Sequence, residues 1–253
     1  MSKCAVVGLC LGLGAAAALA QGPVVLQRGV VNAVTLEPAP SRVAPGDILI
    51  VRGLNLGPVD GATATFTPLP TTLDDVQVFI ANRPAAIFSV SPGQLRVQVP
   101  PDTPTGLVNL VVQRGEQRSR PATVRVVANA VAARTKNNLG FGEAGSVEGK
   151  SLTLSMTGFG LTEPKVGTGE TGPADVLAIP RQSVRAHVGG LPAAVKAALS
   201  PSRVGEFDVT VELPEGSQSG DIVSISGAGV PVTRSVLGSL SPCCVDKLSD
   251  ICN

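Results

Sequence analysis

The chain repeats itself, and the repeat limits what it can fold into more than any other feature. Val43-Ala-Pro-Gly-Asp-Ile-Leu-Ile-Val-Arg-Gly53-Leu-Asn-Leu-Gly57 is echoed by Val147-Glu-Gly-Lys-Ser-Leu-Thr-Leu-Ser-Met-Thr-Gly158-Phe-Gly-Leu161; each is a turn, an alternating strand and a Gly-rich corner. Val78-Phe-Ile-Ala-Asn-Arg-Pro84-Ala-Ala86 recurs as Ala186-His-Val-Gly-Gly-Leu-Pro192-Ala-Ala194. Ser91-Pro-Gly-Gln-Leu-Arg-Val-Gln-Val-Pro100 returns between Ser200 and Pro214. A spacing of about 105–110 residues means two copies of one unit. The 253 residues are too many for one ordinary sandwich and suit two.

Within the repeat the apolar period is two. Leu95, Val97 and Val99 point one way and Gln94, Arg96 and Gln98 the other; Phe207, Val209, Val211 and Leu213 alternate with Glu206, Asp208, Thr210 and Glu212. One buried and one wet face is the antiparallel pattern. Gly (29) and Pro (21) punctuate short apolar runs, as expected of sandwiches. The Val78 and Ala186 segments read as hairpins with two-residue turns, Asn82-Arg83 in the first and Gly189-Gly190 or Gly190-Leu191 in the second, and Pro opens the return strand. The expected class is all-β: two tandem immunoglobulin-like antiparallel sandwiches, at 34–127 and 147–237. Residues 21–33 form an N-terminal extension, apolar enough to add a strand to a neighbour. Residues 128–146 form a polar linker, Val166 to Arg181 an insertion, and 238–253 a tail.

Residues 1–20, MSKCAVVGLCLGLGAAAALA, carry Lys3, an apolar stretch and the small-x-small ending Ala18-Leu19-Ala20. They read as an export signal cleaved after Ala20, which leaves no transmembrane anchor and an extracellular or envelope location. Cys10 follows Leu9, so lipidation is not expected.

Composition removes several functions. There is no Trp and no Tyr, and only six Phe, so an aromatic platform for sugars or single-stranded nucleic acid is hard to build. The net charge is +1 with no basic block, which argues against nucleic acid.

The run "VNAVTLEPAPSRVAPGDILIVRGLNLG", with "SPGQLRVQVP" and, in the second half, "GGLPAAV", closely resembles an uncharacterised bacterial extracellular family, the Solibacter-type C-terminal domain. The resemblance runs from about Val31 to Val236. Both halves also look like IPT/TIG domains. The resemblance implies export and a pair of immunoglobulin-like sandwiches; it implies no known activity or ligand.

Candidate sites are few. His187, the single histidine, shares a face with Arg185 opposite Val184, Ala186 and Val188, and reads as solvent-facing. A Ser-His-Asp triad would have to use it, and no Gly-x-Ser-x-Gly elbow accompanies it. Asp74-Asp75 sits in a turn and lacks the spacing of a calcium loop. Gly167-Thr-Gly-Glu170 and Gly53 to Gly57 read as corners, not phosphate cradles. Cys243, Cys244 and Cys252 cluster in the tail; in an oxidising compartment one of the first two would pair with Cys252, leaving one thiol for an intermolecular link or as a free reactive group. Catalytic, cofactor and metal sites are expected to be absent. The expected function is a non-enzymatic structural, adhesive or protein-binding module that meets a protein partner or its own copies; the alternative is a carbohydrate-binding accessory.

Overall fold

A computed structural model describes residues 22–37, 42–136, 142–227 and 233–237. The leader at 1–20 and Cys243, Cys244 and Cys252 lie outside the described residues, among which there is no helix.

Seven main strands build the first lobe: β1 (Val24–Asn32), β2 (Ile48–Leu54), β3 (Val76–Ile80), β4 (Ala86–Val90), β5 (Gln94–Gln98), β6 (Gly106–Arg114) and β7 (Ala122–Val126). One sheet runs β1-β2-β5-β4 with Ala62–Thr63 on its far edge; the other runs Arg42–Val43, β7, β6, β3, Thr72–Leu73. All these pairs are antiparallel except Arg42–Val43 on β7. Alternate residues of the two sheets meet in one core: Leu49, Val51, Ile87, Leu95 and Val97 against Val76, Val78, Ile80, Leu110, Val112 and Val124. β-Branched side chains dominate because they pack well on a pleated surface.

The second lobe repeats the plan with β8 (Ser151–Thr157), β9 (Thr162–Glu163), β10 (Ile179–Pro180), β11 (Val184–Val188), β12 (Val195–Leu199), β13 (Phe207–Glu212), β14 (Ile222–Gly227) and β15 (Thr233–Val236). Ala132–Ala133, β8, β13 and β12 form one sheet; Leu191–Ala193, β11, β14 and β15 form the other; β9 and β10 make a separate ribbon. Its core joins Leu152, Leu154, Met156, Val209 and Val211 to Ala186, Val188, Val223 and Ile225. Phe159 and Phe207 meet edge to face with centroids 5.0 Å apart, a favoured aromatic geometry.

The all-β, tandem immunoglobulin-like fold is the one expected; three details differ. Residues 24–32 of the N-terminal extension form β1, paired in cis with β2 through Val24↔Leu54 and Val30↔Val51. Its register slips between Val25 and Val30, where Arg28 has φ 61°, so the outer edge is kinked. A bulged edge is a poor template for another strand, so the strand completes its own lobe rather than a neighbour's. The 128–146 linker carries Ala132–Ala133, which pairs with β8 as part of the second sandwich. In the first hairpin Ile80 pairs with Arg83, so the turn is Ala81-Asn82, one residue earlier than expected. Both turn residues have positive φ, 50° and 62°, as a type I′ turn requires. In the second hairpin Val188 pairs with Leu191, and Gly189-Gly190 make the turn.

Candidate functional site

The outward face of the β1-β2-β5-β4 sheet is covered in part by the second lobe. Val204 packs against Leu69 and Ala86, with Phe88 and Ala64 at the margin. The Leu69 N–H donates to the Gly169 carbonyl at 2.8 Å, and the Gly169 N–H donates to Gln98 Oε1 at 2.7 Å. Gln98 Nε2 reaches the Gly46 carbonyl at 3.4 Å. Gln98 is therefore buried although the alternation turns it away from its own core. Burying this amide is tolerable because both ends of it are hydrogen-bonded. Gly169 has φ +80°, and a Cβ there would sit 2.6 Å from Leu69 O, so only glycine permits the approach.

Along the same face, Glu206 is 6% exposed yet held charged. Burial raises its pKa, but the Ser155 hydroxyl (2.7 Å), Arg134 and Arg203 (Nε to Oε2 2.9 Å) outweigh that and lower it. Arg96 of the first lobe lies over the Phe88 ring, 4.9 Å from its centroid. Burial, then the neighbouring Arg134, lower its pKa, and Glu206 opposes them. A carboxylate of one lobe thus faces a guanidinium of the other.

Asp47 ends the turn that begins at Ala44 and is 1% exposed. Its Oδ2 accepts the Ala44 N–H at 2.7 Å, while Oδ1 accepts no hydrogen bond. The Gly158 amide of the second lobe favours the charged form of the carboxyl. Burial pushes the pKa up to about 7, against the pull of the two amides.

Two clefts open beside these contacts. One, of about 500 Å³, is lined by both lobes, notably Pro45, Pro101 and Thr103 from the first and Leu161, Lys165 and Arg181 from the second. The other, of about 520 Å³, lies between Thr67-Pro68 and the insertion at Thr171 to Ala174, again with Lys165. A narrow crevice lined by Gly46, Gln98, Lys165 and Gly205 lies between them and shares Lys165 with both. Together they form a groove along the lobe junction with Lys165 at its middle. Arg181 is ion-paired with Glu163 at 3.1 Å and Asp102 with Arg83 at 2.9 Å. Such a surface can hold an extended ligand by shape and hydrogen bonding; its lining offers no nucleophile–base pair.

His187 is exposed on β11, where it pairs with Ser224 and Pro192, and it does not line the groove. Asp74 and Asp75 lie in a turn, with Asp75 bound to Arg114 at 3.2 Å. Among the described residues no three His, Cys, Asp or Glu side chains come together as a metal site would need. Gly167 to Glu170 is a corner, as expected, with the Gly167 N–H on Glu170 Oε2 at 2.8 Å, but it is also the corner that docks on the first lobe. Sequence reasoning missed the groove, since its walls come from separate segments of the two lobes that lie far apart in the chain.

Residues 31–126, the first lobe, match the IPT/TIG domain family. That match covers the first lobe, and the paired antiparallel sheets of both lobes are of the immunoglobulin-like sandwich class. No curated protein matches the chain. Among solved structures, the chain is similar to the surface glycan-binding protein SGBP-B of a Bacteroides ovatus mixed-linkage glucan utilization locus (12% identity, 87% of this chain and 48% of that one, TM-score 0.40). It is also similar to PbSGBP-B of Prevotella bryantii (11% identity, 85% and 41%, TM-score 0.30) and to domains 5-6 of the S-layer protein SbsC (12% identity, 87% and 100%, TM-score 0.27). The chain spans less than half the length of the two glycan-binding proteins.

Proposed function

We propose that the protein is an exported, non-catalytic binding module of the Solibacter-type family, and that it holds a segment of a partner protein in the groove between its lobes. The observation that carries this is the groove itself: it is walled by both lobes, and the lobes are fixed to one another by buried contacts along one side of it. A preformed concave surface binds with little ordering cost. Its Pro, Thr, Leu and Ala walls and a central lysine suit polypeptide better than sugar, whose recognition would call for aromatic faces, and no aromatic residue lines this cleft. The test places a photo-crosslinking side chain at Leu161, within the groove, or at His187, away from it, in protein on its native envelope. Cross-linking to one polypeptide from position 161 and not from 187 is the expected result, and Leu161→Asp should weaken capture at least tenfold, about 1.4 kcal/mol. Equal labelling from both positions, or capture of glycan alone, would refute the reading.

The tail belongs to the same proposal. Of Cys243, Cys244 and Cys252 only two can pair within one molecule, so the third is expected to link the module to a partner or a second copy. Oxidised mature protein should run as a covalent species on non-reducing gels and as a monomer after reduction. A monomer with one free thiol under both conditions would leave the tail a local loop.

A further inference from the structure

We propose that the groove selects a polypeptide segment carrying an isolated acidic residue, whose carboxylate pairs with Lys165 while an apolar neighbour covers Leu161; this rests on the groove reading and names the chemistry of its occupant. Lys165 alone lines both clefts and the crevice between them. It is exposed, and among the described residues no hydrogen bond or ion pair engages it. The other charged side chains on the lining are Asp102, Glu170 and Arg181. Asp102 is held by Arg83 and Arg181 by Glu163. Glu170 is folded back on its own corner: Oε2 accepts the Gly167 N–H, and a Cβ on Gly167 would lie 2.9 Å from its carboxyl carbon. The ammonium of Lys165 is therefore the charge left for a partner. A carboxylate is its natural complement, and a part-enclosed cleft screens the pair less than open water does. One ammonium among apolar walls suits the single charge of Asp or Glu; a phosphate is usually met by several donors.

The apolar half of the recognition lies beside it. Leu161 is 38% exposed and lines the first cleft and the crevice, as do Pro45 and Pro101. Covering that surface with an aliphatic or aromatic side chain is favourable. On the other side of Lys165, Glu170 lines the crevice and the second cleft, so a further acid there meets like charge. The groove thus favours one Asp or Glu next to an apolar residue over an acidic run.

The test uses the full chain with the photo-crosslinking side chain at position 161, on its native envelope, and mass spectrometry of the labelled peptide. The expected peptide holds an Asp or Glu close to an apolar residue at the point of attachment. Lys165→Met should raise the concentration needed for half-maximal labelling about fivefold, and Lys165→Glu about tenfold or more. Lys165→Arg keeps the charge and should stay near wild type. Added salt should weaken labelling by the wild type and leave Lys165→Met unmoved. The side chain is exposed, so the variants should melt with the wild type, which separates lost recognition from lost folding. Unchanged labelling by Lys165→Glu, salt-independent labelling by the wild type, a captured segment without a carboxylate, or capture of an acidic glycan instead of polypeptide would overturn the inference. The first three can occur while position 161 still labels one polypeptide and 187 none, and the groove reading then stands. Equal labelling from 161 and 187 removes the groove, and this inference with it.

Discussion

A fragment of residues 22–127, the first lobe alone, is expected to fold poorly and to self-associate. Its own core is complete, so the β-sandwich can form. What it lacks is the cover on its outward face. Ile48, Leu69, Ala86 and Gln98 are buried in the full chain, and Ile48 has Gly205 of the second lobe against it. Each large aliphatic side chain returned to water costs about 1.5–3 kcal/mol, and Gln98 loses its Gly169 donor. The total is on the order of 5 kcal/mol, comparable with the whole stability of a small domain. Urea unfolding and size-exclusion chromatography of the fragment beside the full chain measure it. A fragment that stays monomeric with an unchanged unfolding midpoint would show that the lobes are independent beads.

Gly169→Val should do to the junction what truncation does to the lobe. The new Cβ would sit within 3 Å of both the nitrogen and the oxygen of Leu69, and backbone cannot step aside as a side chain can. A β-branched residue at φ +80° adds strain of about 1–3 kcal/mol. Relief by moving the corner away strands the buried Gln98 carbonyl, at about 1–3 kcal/mol more. The expected loss is about 3 kcal/mol or more, and because both cores are untouched the lobes, expected to melt together in the wild type, should melt in two transitions. One unbroken transition with a midpoint within a degree or two of wild type, by calorimetry, would show that the corner is not pinned.

Periodicity made the strands legible. Leu95-Arg96-Val97 and Phe207-Asp208-Val209 announce their inward faces, and those side chains are the ones buried. Periodicity cannot say what lies over the other face. Gln98 alternates like Gln94, yet one is buried and the other exposed, because the second lobe covers only one end of the strand. Short pairings escaped for a similar reason. Two residues at Ala132–Ala133 are too few to show a period, and their polar neighbours resemble a linker. The turn at Ala81-Asn82 was misplaced by one residue because alanine gives no hint of a left-handed conformation. The groove had no local signature at all: Pro45, Pro101 and Leu161 meet only after both lobes have folded and docked.

That last property bears on how such a module changes through descent. Pro45, Pro101, Thr103, Lys165 and the segment from Thr171 to Ala174 all lie in connections between strands. Connections tolerate substitution and length change that strands do not. The groove's lining can therefore vary at a few loop positions without disturbing the paired strands or the docking corner at Gly169. Relatives sharing this scaffold are expected to diverge fastest along the groove.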